Sequence, residues 1–244
     1  MRLAILATFA ARLAWSQMPG APAVLQRYLE SNQELTAARS GAVREEAVEV
    51  EIEAALPRLR KHGTMRGVRM ITRAGEIVYS RLRFAGDRMV GKDVISRYLA
   101  ADVRKPPREK DFHLDPAHYR FESAGETDYN GRTADVFRVT PKRRRGGLFR
   151  GELWLDAATA LPLRIWGDVV KSPSRFLSHP HFVRDYDLAD GVAQPRRLIL
   201  TARAAFVGDV EMTIWFTGGD GGDDSGESLP LAAPDSGPVA SSHP

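Results

Sequence analysis

His179 and His181 stand two apart around Pro180, and Asp185 follows six residues after His179. On a strand these three share one face, because successive side chains point to opposite sides. Two imidazoles and a carboxylate can hold a divalent metal. A third histidine at a supporting spacing is missing. The expectation is therefore a polar strand start whose Pro180 marks a sheet edge, with no metal ligand.

Other chemistry is sparse. Glu49, Glu51 and Glu53 alternate with Val48, Val50 and Ile52, which makes them a charged outer face. Acid–base catalysis by paired carboxylates needs one of them in an apolar pocket, and no pattern marks one. No Gly-x-Ser-x-Gly elbow or phosphate-binding glycine loop occurs. Cysteine is absent, which excludes disulfides, thiolate zinc sites and a cysteine nucleophile. No catalytic residue and no cofactor is expected, and the chain is not read as an enzyme.

Lys142-Arg143-Arg144-Arg145 is the sharpest charge cluster. It could meet lipid or nucleic-acid phosphates, but a solvated hairpin tip explains it more simply. Three tryptophans are more informative. Trp154 shares parity with Glu152, Trp166 with Arg164 and Asp168, and Trp215 with Glu211 and Thr213. The opposite parity is the apolar one at each: Leu153/Leu155, Leu163/Ile165 and Ile214/Phe216. Three large aromatics on the less apolar face imply a covering helix, the simpler reading, or an amphipathic ligand surface.

The elements that carry these residues follow from hydropathy rhythm. Strict alternation marks half-buried strands near 46–56, 65–73, 76–85, 117–128, 132–141, 147–156, 160–171, 179–188, 194–204 and 208–217. His62-Gly63, Ala74-Gly75, Asn130-Gly131, Asp190-Gly191 and Val207-Gly208 supply turns, and Asn-Gly is the strongest short hairpin signal. A helix begins after Pro22, with Gly41 as its stop, and a second runs from an Asp93 cap to Ala101. Ser172 to Ser178 reads as a loop or short helix. Short turns make consecutive strands antiparallel neighbours. The fold class is mainly β (α+β): one large antiparallel sheet with two helices.

The 244 residues suit one large β domain. Net charge is +4, yet Gly218 to Pro244 contains five acids and no Lys or Arg, which leaves 35 basic against 26 acidic residues elsewhere. This moderately basic body is compatible with polyanion contact, although arginines scattered on solvent faces account for it. The Gly/Asp/Ser/Pro composition of 218–244 predicts a disordered tail. At the start, Arg2, the apolar run Leu3–Ala11 and Ala14-Trp15-Ser16 predict a signal peptide over 1–16 cleaved before Gln17. No later run reaches the ~20 apolar residues of a membrane span, so the mature product is expected in the periplasm or secreted. Export also argues against a nucleic-acid partner.

Gly147-Leu-Phe-Arg-Gly-Glu-Leu-Trp-Leu-Asp156 followed by Leu161-Pro-Leu-Arg164, together with Phe182-Val-Arg-Asp-Tyr186, Gly191 and Pro195, resembles the periplasmic lipoprotein-carrier superfamily of LolA/LolB-like proteins and their relative RseB. More closely still, the chain resembles a group of exported bacterial proteins, a likeness that supplies no activity. The resemblance implies an unclosed, strongly curved half-barrel over 17–217, with helices over its concave side and an apolar cavity for acyl chains.

On that reading the apolar strand faces bearing Val50, Ile52, Phe137, Val139, Leu153, Leu155, Ile165, Ile214 and Phe216 line the ligand site. The expected function is a non-enzymatic periplasmic carrier or sensor of lipid, lipoprotein or another hydrophobic ligand, in the setting of outer-membrane biogenesis. The alternative is a structural or protein-binding envelope module whose core is filled.

Overall fold

The structure, a computed structural model, describes residues 22–38, 46–104, 114–172 and 175–218. The expected signal peptide, the Gly41 stop and all of the acidic tail beyond Gly218 lie outside these residues. Helix α1 (Ala23–Ala38) comes first, then strands β1 (Glu46–Leu56), β2 (Lys61–Ile71) and β3 (Ile77–Gly86). A π-helical turn (Val90–Ile95) runs directly into α2 (Ser96–Arg104). Seven strands complete the chain: β4 (Tyr119–Tyr129), β5 (Arg132–Pro141), β6 (Phe149–Asp156), β7 (Pro162–Val169), β8 (Leu177–Ala189), β9 (Val192–Ala204) and β10 (Gly208–Thr217).

The strands form one ten-stranded antiparallel sheet in the order β3-β2-β1-β10-β9-β8-β7-β6-β5-β4. It is not closed, since β3 and β4 are its two edges. Consecutive strands are neighbours, as the turn signals require, except that β3 and β4 part company around α2. The remaining junction, β10 against β1, joins the two ends of the described chain, pairing Ile52 with Ile214 and Val50 with Phe216. The Asn130-Gly131 and Asp190-Gly191 hairpins form with both residues of each pair at positive φ, the geometry that favours these dipeptides.

Two local expectations are corrected. His62 and Gly63 are strand residues within β2, paired with Ala55 and Ala54. The reversal lies earlier, at a 3-10 turn (Pro57–Leu59) ended by Arg60 in the left-handed region, because Pro57 cannot donate to the ladder. The second helical segment is capped by Asp87 rather than Asp93. Asp87 Oδ1 accepts from the backbone N–H of Met89 at 2.8 Å and of Val90 at 3.3 Å, and a Lys61 hydrogen bond holds its carboxyl below the usual range. Asp93 instead pairs with Arg97 one turn on.

One apolar cluster spans the sheet face. It joins Leu25, Tyr28 and Leu29 of α1, Val90 and Ile95 of the π-helical turn and Leu99 of α2 to inward residues of β1, β2, β4–β6 and β7–β10. Gly151 and Gly167 face each other across β6 and β7 in the middle of it. A Cβ on Gly151 would lie 1.8 Å from the Trp166 carbonyl oxygen, and one on Gly167 would lie 2.5 Å from the Phe149 ring. Only glycine fits at either position, and the room they leave is taken by Phe149 packed edge-on against Phe182 at 4.9 Å.

Candidate functional site

The nine residues expected to line a ligand site fall on the helix-covered face. Five of them share a single cross-strand row. Reading across the sheet, the row is Phe137, Leu153, Ile165, Arg184, Leu198, Ile214, Ile52 and Met65. Val50 pairs with Phe216 one step along, Val139 lies beside Gly151, and Leu155 adjoins the β6–β7 bulge. Eight of the nine are at most 3% exposed, and Phe216 packs against the cluster as a partly buried side chain. The face is closed over by the helices.

Arg184 is the residue that the sequence reading missed. It interrupts an otherwise apolar row and sits close enough to influence Tyr98 of α2. Its parity with Phe182 was the available signal. Beside it, Asp102 of α2 accepts hydrogen bonds from Tyr79 Oη at 2.8 Å and Arg69 Nε at 3.2 Å. Burial pushes the Tyr79 and Tyr98 hydroxyls up, so both stay protonated and Tyr79 remains a donor. Asp102 therefore ties α2 to β2 and β3. At the other side, Arg27 of α1 donates to the carbonyls of Ala158 at 3.0 Å and Ala157 at 3.1 Å in the β6–β7 turn. Each covering helix thus makes polar contacts to the sheet at its rim.

The opposite face carries Trp154, Trp166 and Trp215, all partly exposed, as parity indicates. No described helix covers them, for the buried helix side chains belong to the apolar cluster. Trp154 and Trp166 instead both donate their indole N–H to Glu152 Oε2, at 2.9 and 3.1 Å. The Arg164 guanidinium stacks over Tyr129 and Trp154, at 4.8 and 5.5 Å from the ring centres.

Asp185 lies beneath this layer at 0% exposure. It accepts from Arg164 Nε at 2.7 Å, from Arg197 Nη2 at 2.7 Å and Nε at 3.0 Å, and from Tyr129 Oη at 3.0 Å. Burial opposes its charge, but hydrogen bonds from the two arginines hold its carboxyl below the usual range.

The two histidines and Asp185, weighed in the sequence as a metal group and not expected to be one, are not brought together. A bulge between Ser178 and His181 interrupts the β8 register, and His179 adopts φ 51°, so strand parity fails there. His181 pairs with Asp168 at 2.8 Å, while Asp185 is engaged by arginines. Among the described residues no group of three His, Asp or Glu converges on a metal position. Pro180 sits at this bulge, where β8 is paired with β9 and has not yet met β7. It is an edge only locally, within a strand that is otherwise interior. The basic tip is a hairpin between β5 and β6, in which Arg144 donates to the Val170 carbonyl at 3.0 Å and Lys142 to that of Pro116.

The short motifs that carried the family resemblance explain themselves physically. Asp156, which ends the Trp-Leu-Asp step, is 3% exposed. It accepts from the Thr159 backbone and hydroxyl, both at 2.8 Å, and from Arg132 at 3.2 Å. These bonds hold its carboxyl low against the effect of burial and fix the turn. Arg164 of the Leu-Pro-Leu-Arg step then meets Asp185 of the Phe-Val-Arg-Asp step. The two aspartates are the buried charged residues among those described, and both pin the sheet.

Residues 68–183, from β2 to β8, match the family model of the MucB/RseB N-terminal domain, and the LolA/RseB-like family read from the sequence is supported. Among solved structures, the chain is similar to an outer membrane lipoprotein-sorting protein domain from Vibrio parahaemolyticus (12% identity, 80% of this chain and 94% of that one, TM-score 0.40). It is also similar to a LolA superfamily protein from Nitrosomonas europaea (15%, 79% and 90%, TM-score 0.38). A third is the MucA/MucB complex of Pseudomonas aeruginosa (12%, 79% and 92%, TM-score 0.23). No curated protein matches. Among the described residues, no helix is long and apolar enough to cross a membrane.

Proposed function

We propose that this LolA/RseB-like chain is a non-enzymatic periplasmic binding protein that carries or senses a lipid, a lipoprotein or another hydrophobic ligand. The observation that supports it is the row of apolar side chains, interrupted only by Arg184, that α1, the π-helical turn and α2 cover with apolar side chains of their own. The ligand site is the surface of Val50, Ile52, Phe137, Val139, Leu153, Leu155, Ile165, Ile214 and Phe216, uncovered when the helices lift.

Magnitudes make the exchange workable. An acyl chain of about fifteen methylenes gains about 12 kcal/mol on burial, at about 0.8 kcal/mol each. Exposing Leu25, Tyr28, Leu29, Val90, Ile95 and Leu99 costs a similar sum, at about 2 kcal/mol per side chain. A near balance suits a protein that must both accept and release its ligand.

The test is a titration with a fluorescent fatty acid, a phospholipid and a triacylated peptide. Saturable binding is expected, with a change in tryptophan emission. Ile165→Glu should abolish it, with circular dichroism run alongside to separate lost binding from lost folding. The mature form in this proposal begins near Gln17 and comprises a binding domain to 217 and the tail 218–244. N-terminal sequencing of periplasmic protein that still starts at Met1 would exclude the cleavage.

A second reading is favoured by the near-complete burial of the row: a protein-binding envelope module whose apolar face never opens. Absence of saturable binding to all three ligands would make it the better account.

A further inference from the structure

We infer a membrane-docking site at one end of the sheet, made for an anionic phospholipid surface and separate from the helix-covered face. Three segments meet there: the 3-10 turn after β1, the residues leading into β8, and the β9–β10 turn. Their proximity is fixed by the Ala205 N–H donating to the Phe176 carbonyl at 2.9 Å, by Leu177 paired with Ala204, and by the Arg58 side chain, whose nearest carbon lies 3.1 Å from where a Gly208 Cβ would be. Together they border an open pocket of about 430 Å³ lined by Arg58, Arg175, Phe176, Arg203, Phe206 and Asp209, among others.

Two features point to a lipid surface. The first is exposed aromatic area. Phe206 is 91% exposed and Phe176 52% exposed, the two most exposed phenylalanines of the described residues outside any strand, and Leu59 beside Arg58 is exposed too. Phe206 also holds φ 74° at the tip of its turn. A bulky residue is disfavoured there, and no packing compensates, since the ring projects into solvent. Such a position is conformationally costly, and its ring is available to an occupant from outside.

The second feature is charge. Three arginines face one carboxylate, Asp209, which pairs with Arg203 at 2.8 Å, so the rim carries an excess of positive charge. Arg175 stacks on Phe176 at 4.8 Å from its ring centre. Phenylalanine rings at the acyl boundary, with guanidiniums at phosphate level, form the arrangement that binds interfacial surfaces. A protein partner would leave the arginines to be matched individually; an anionic bilayer matches them collectively. The site does not rest on the ligand reading, because it uses none of the nine apolar-face residues.

The chain has no cysteine, which permits one reporter per molecule. In the full chain, Ala205→Cys carries an environment-sensitive nitrobenzoxadiazole label, and Glu122→Cys, on the face of β4 opposite the nine residues, carries it in the control. Phosphatidylglycerol-containing vesicles should shift the emission at 205 to the blue and leave that at 122 unchanged. Phe176→Ser with Phe206→Ser should remove the shift. Arg58→Gln and Arg175→Gln should each weaken vesicle affinity roughly fivefold at low salt. The proposal is overturned by no shift at 205, by an equal shift at 122, by an equal shift with pure phosphatidylcholine, or by indifference to the phenylalanine substitutions. None of these readouts depends on acyl-chain uptake.

Discussion

The helix-covered face and the tryptophan face belong to the same ten strands, yet they exclude water by different means. On the first, Ile52, Leu153 and their neighbours are buried by α1, the π-helical turn and α2, segments remote from them in sequence. On the second, Asp185 reaches zero exposure without a described helix above it. Arg164 and Arg197 reach it from the adjacent strands β7 and β9, Tyr129 reaches it from the edge strand β4, and Trp154 of β6 packs on Arg164. The polar face is therefore self-contained, whereas the apolar face depends on segments packed onto it from outside the sheet. In the proposed function the helices lift while the ladder stays pinned at Asp156 and Asp185.

The largest expected effect tests the apolar side. Phe137→Ala removes a side chain 1% exposed in the shared row and should cost about 4 kcal/mol, read as a fall in the urea midpoint. A loss below about 1 kcal/mol would mean that the row is loosely packed, contrary to its burial.

Asp185→Asn is the matching test of the polar side. Removing one member of a buried charge group costs about 3 kcal/mol, toward the low end because both guanidiniums are partly exposed. The pH dependence has a definite sign. The folded carboxyl titrates below the unfolded value of about 3.9, so the unfolded chain binds more protons in that window. Its stabilisation is complete above about pH 4 and is lost as pH falls through the folded value. Asp156 contributes in the same direction. The substitution should thus flatten the acid limb of the stability profile in part, and an unchanged limb would detach Asp185 from it.

Asp102→Asn addresses the rim rather than either face. It weakens the hold of Tyr79 and Arg69 on α2, a loss of about 1.4 kcal/mol, and should raise hydrogen exchange in α2 roughly tenfold while leaving β6–β8 amides unaffected. Equal acceleration in both regions would show that the faces open together. The smallest effect belongs to Trp166→Phe, which removes one indole hydrogen bond to Glu152 and should cost about 1 kcal/mol by thermal midpoint.

Much of this comparison was legible in residue order. Alternation placed Val50 and Ile52 opposite Glu49 and Glu51, set the tryptophans against their apolar neighbours, and located most strands to within a few residues. Asn130-Gly131 and Asp190-Gly191 defined their hairpins because positive φ is a local demand. Pairing of β1 with β10 was not legible, since no turn connects them and their contact is a tertiary event. Nor was the shield over the tryptophan face: parity says which way a side chain points, not what lies above it. The π-helical turn escaped as well, because Val90, Val94 and Ile95 read equally well as an ordinary helical stripe. The register break at Ser178–His181 shows how one inserted residue defeats a spacing argument for a metal.

The two free edges carry a final consequence. An open sheet offers unpaired N–H and C=O groups that can template other chains, and β3 adds exposed Val78, Leu82 and Phe84. Both edge pairings are broken by register shifts, between Arg66 and Val68 and between Ser123 and Gly125, with Arg81 and Gly125 at positive φ. Such kinks prevent a second flat strand from lying alongside over any length. Copies of this protein should resist stacking edge to edge into fibrils even when crowded, so straightening either kink is the change most apt to convert an individual molecule into an aggregating one.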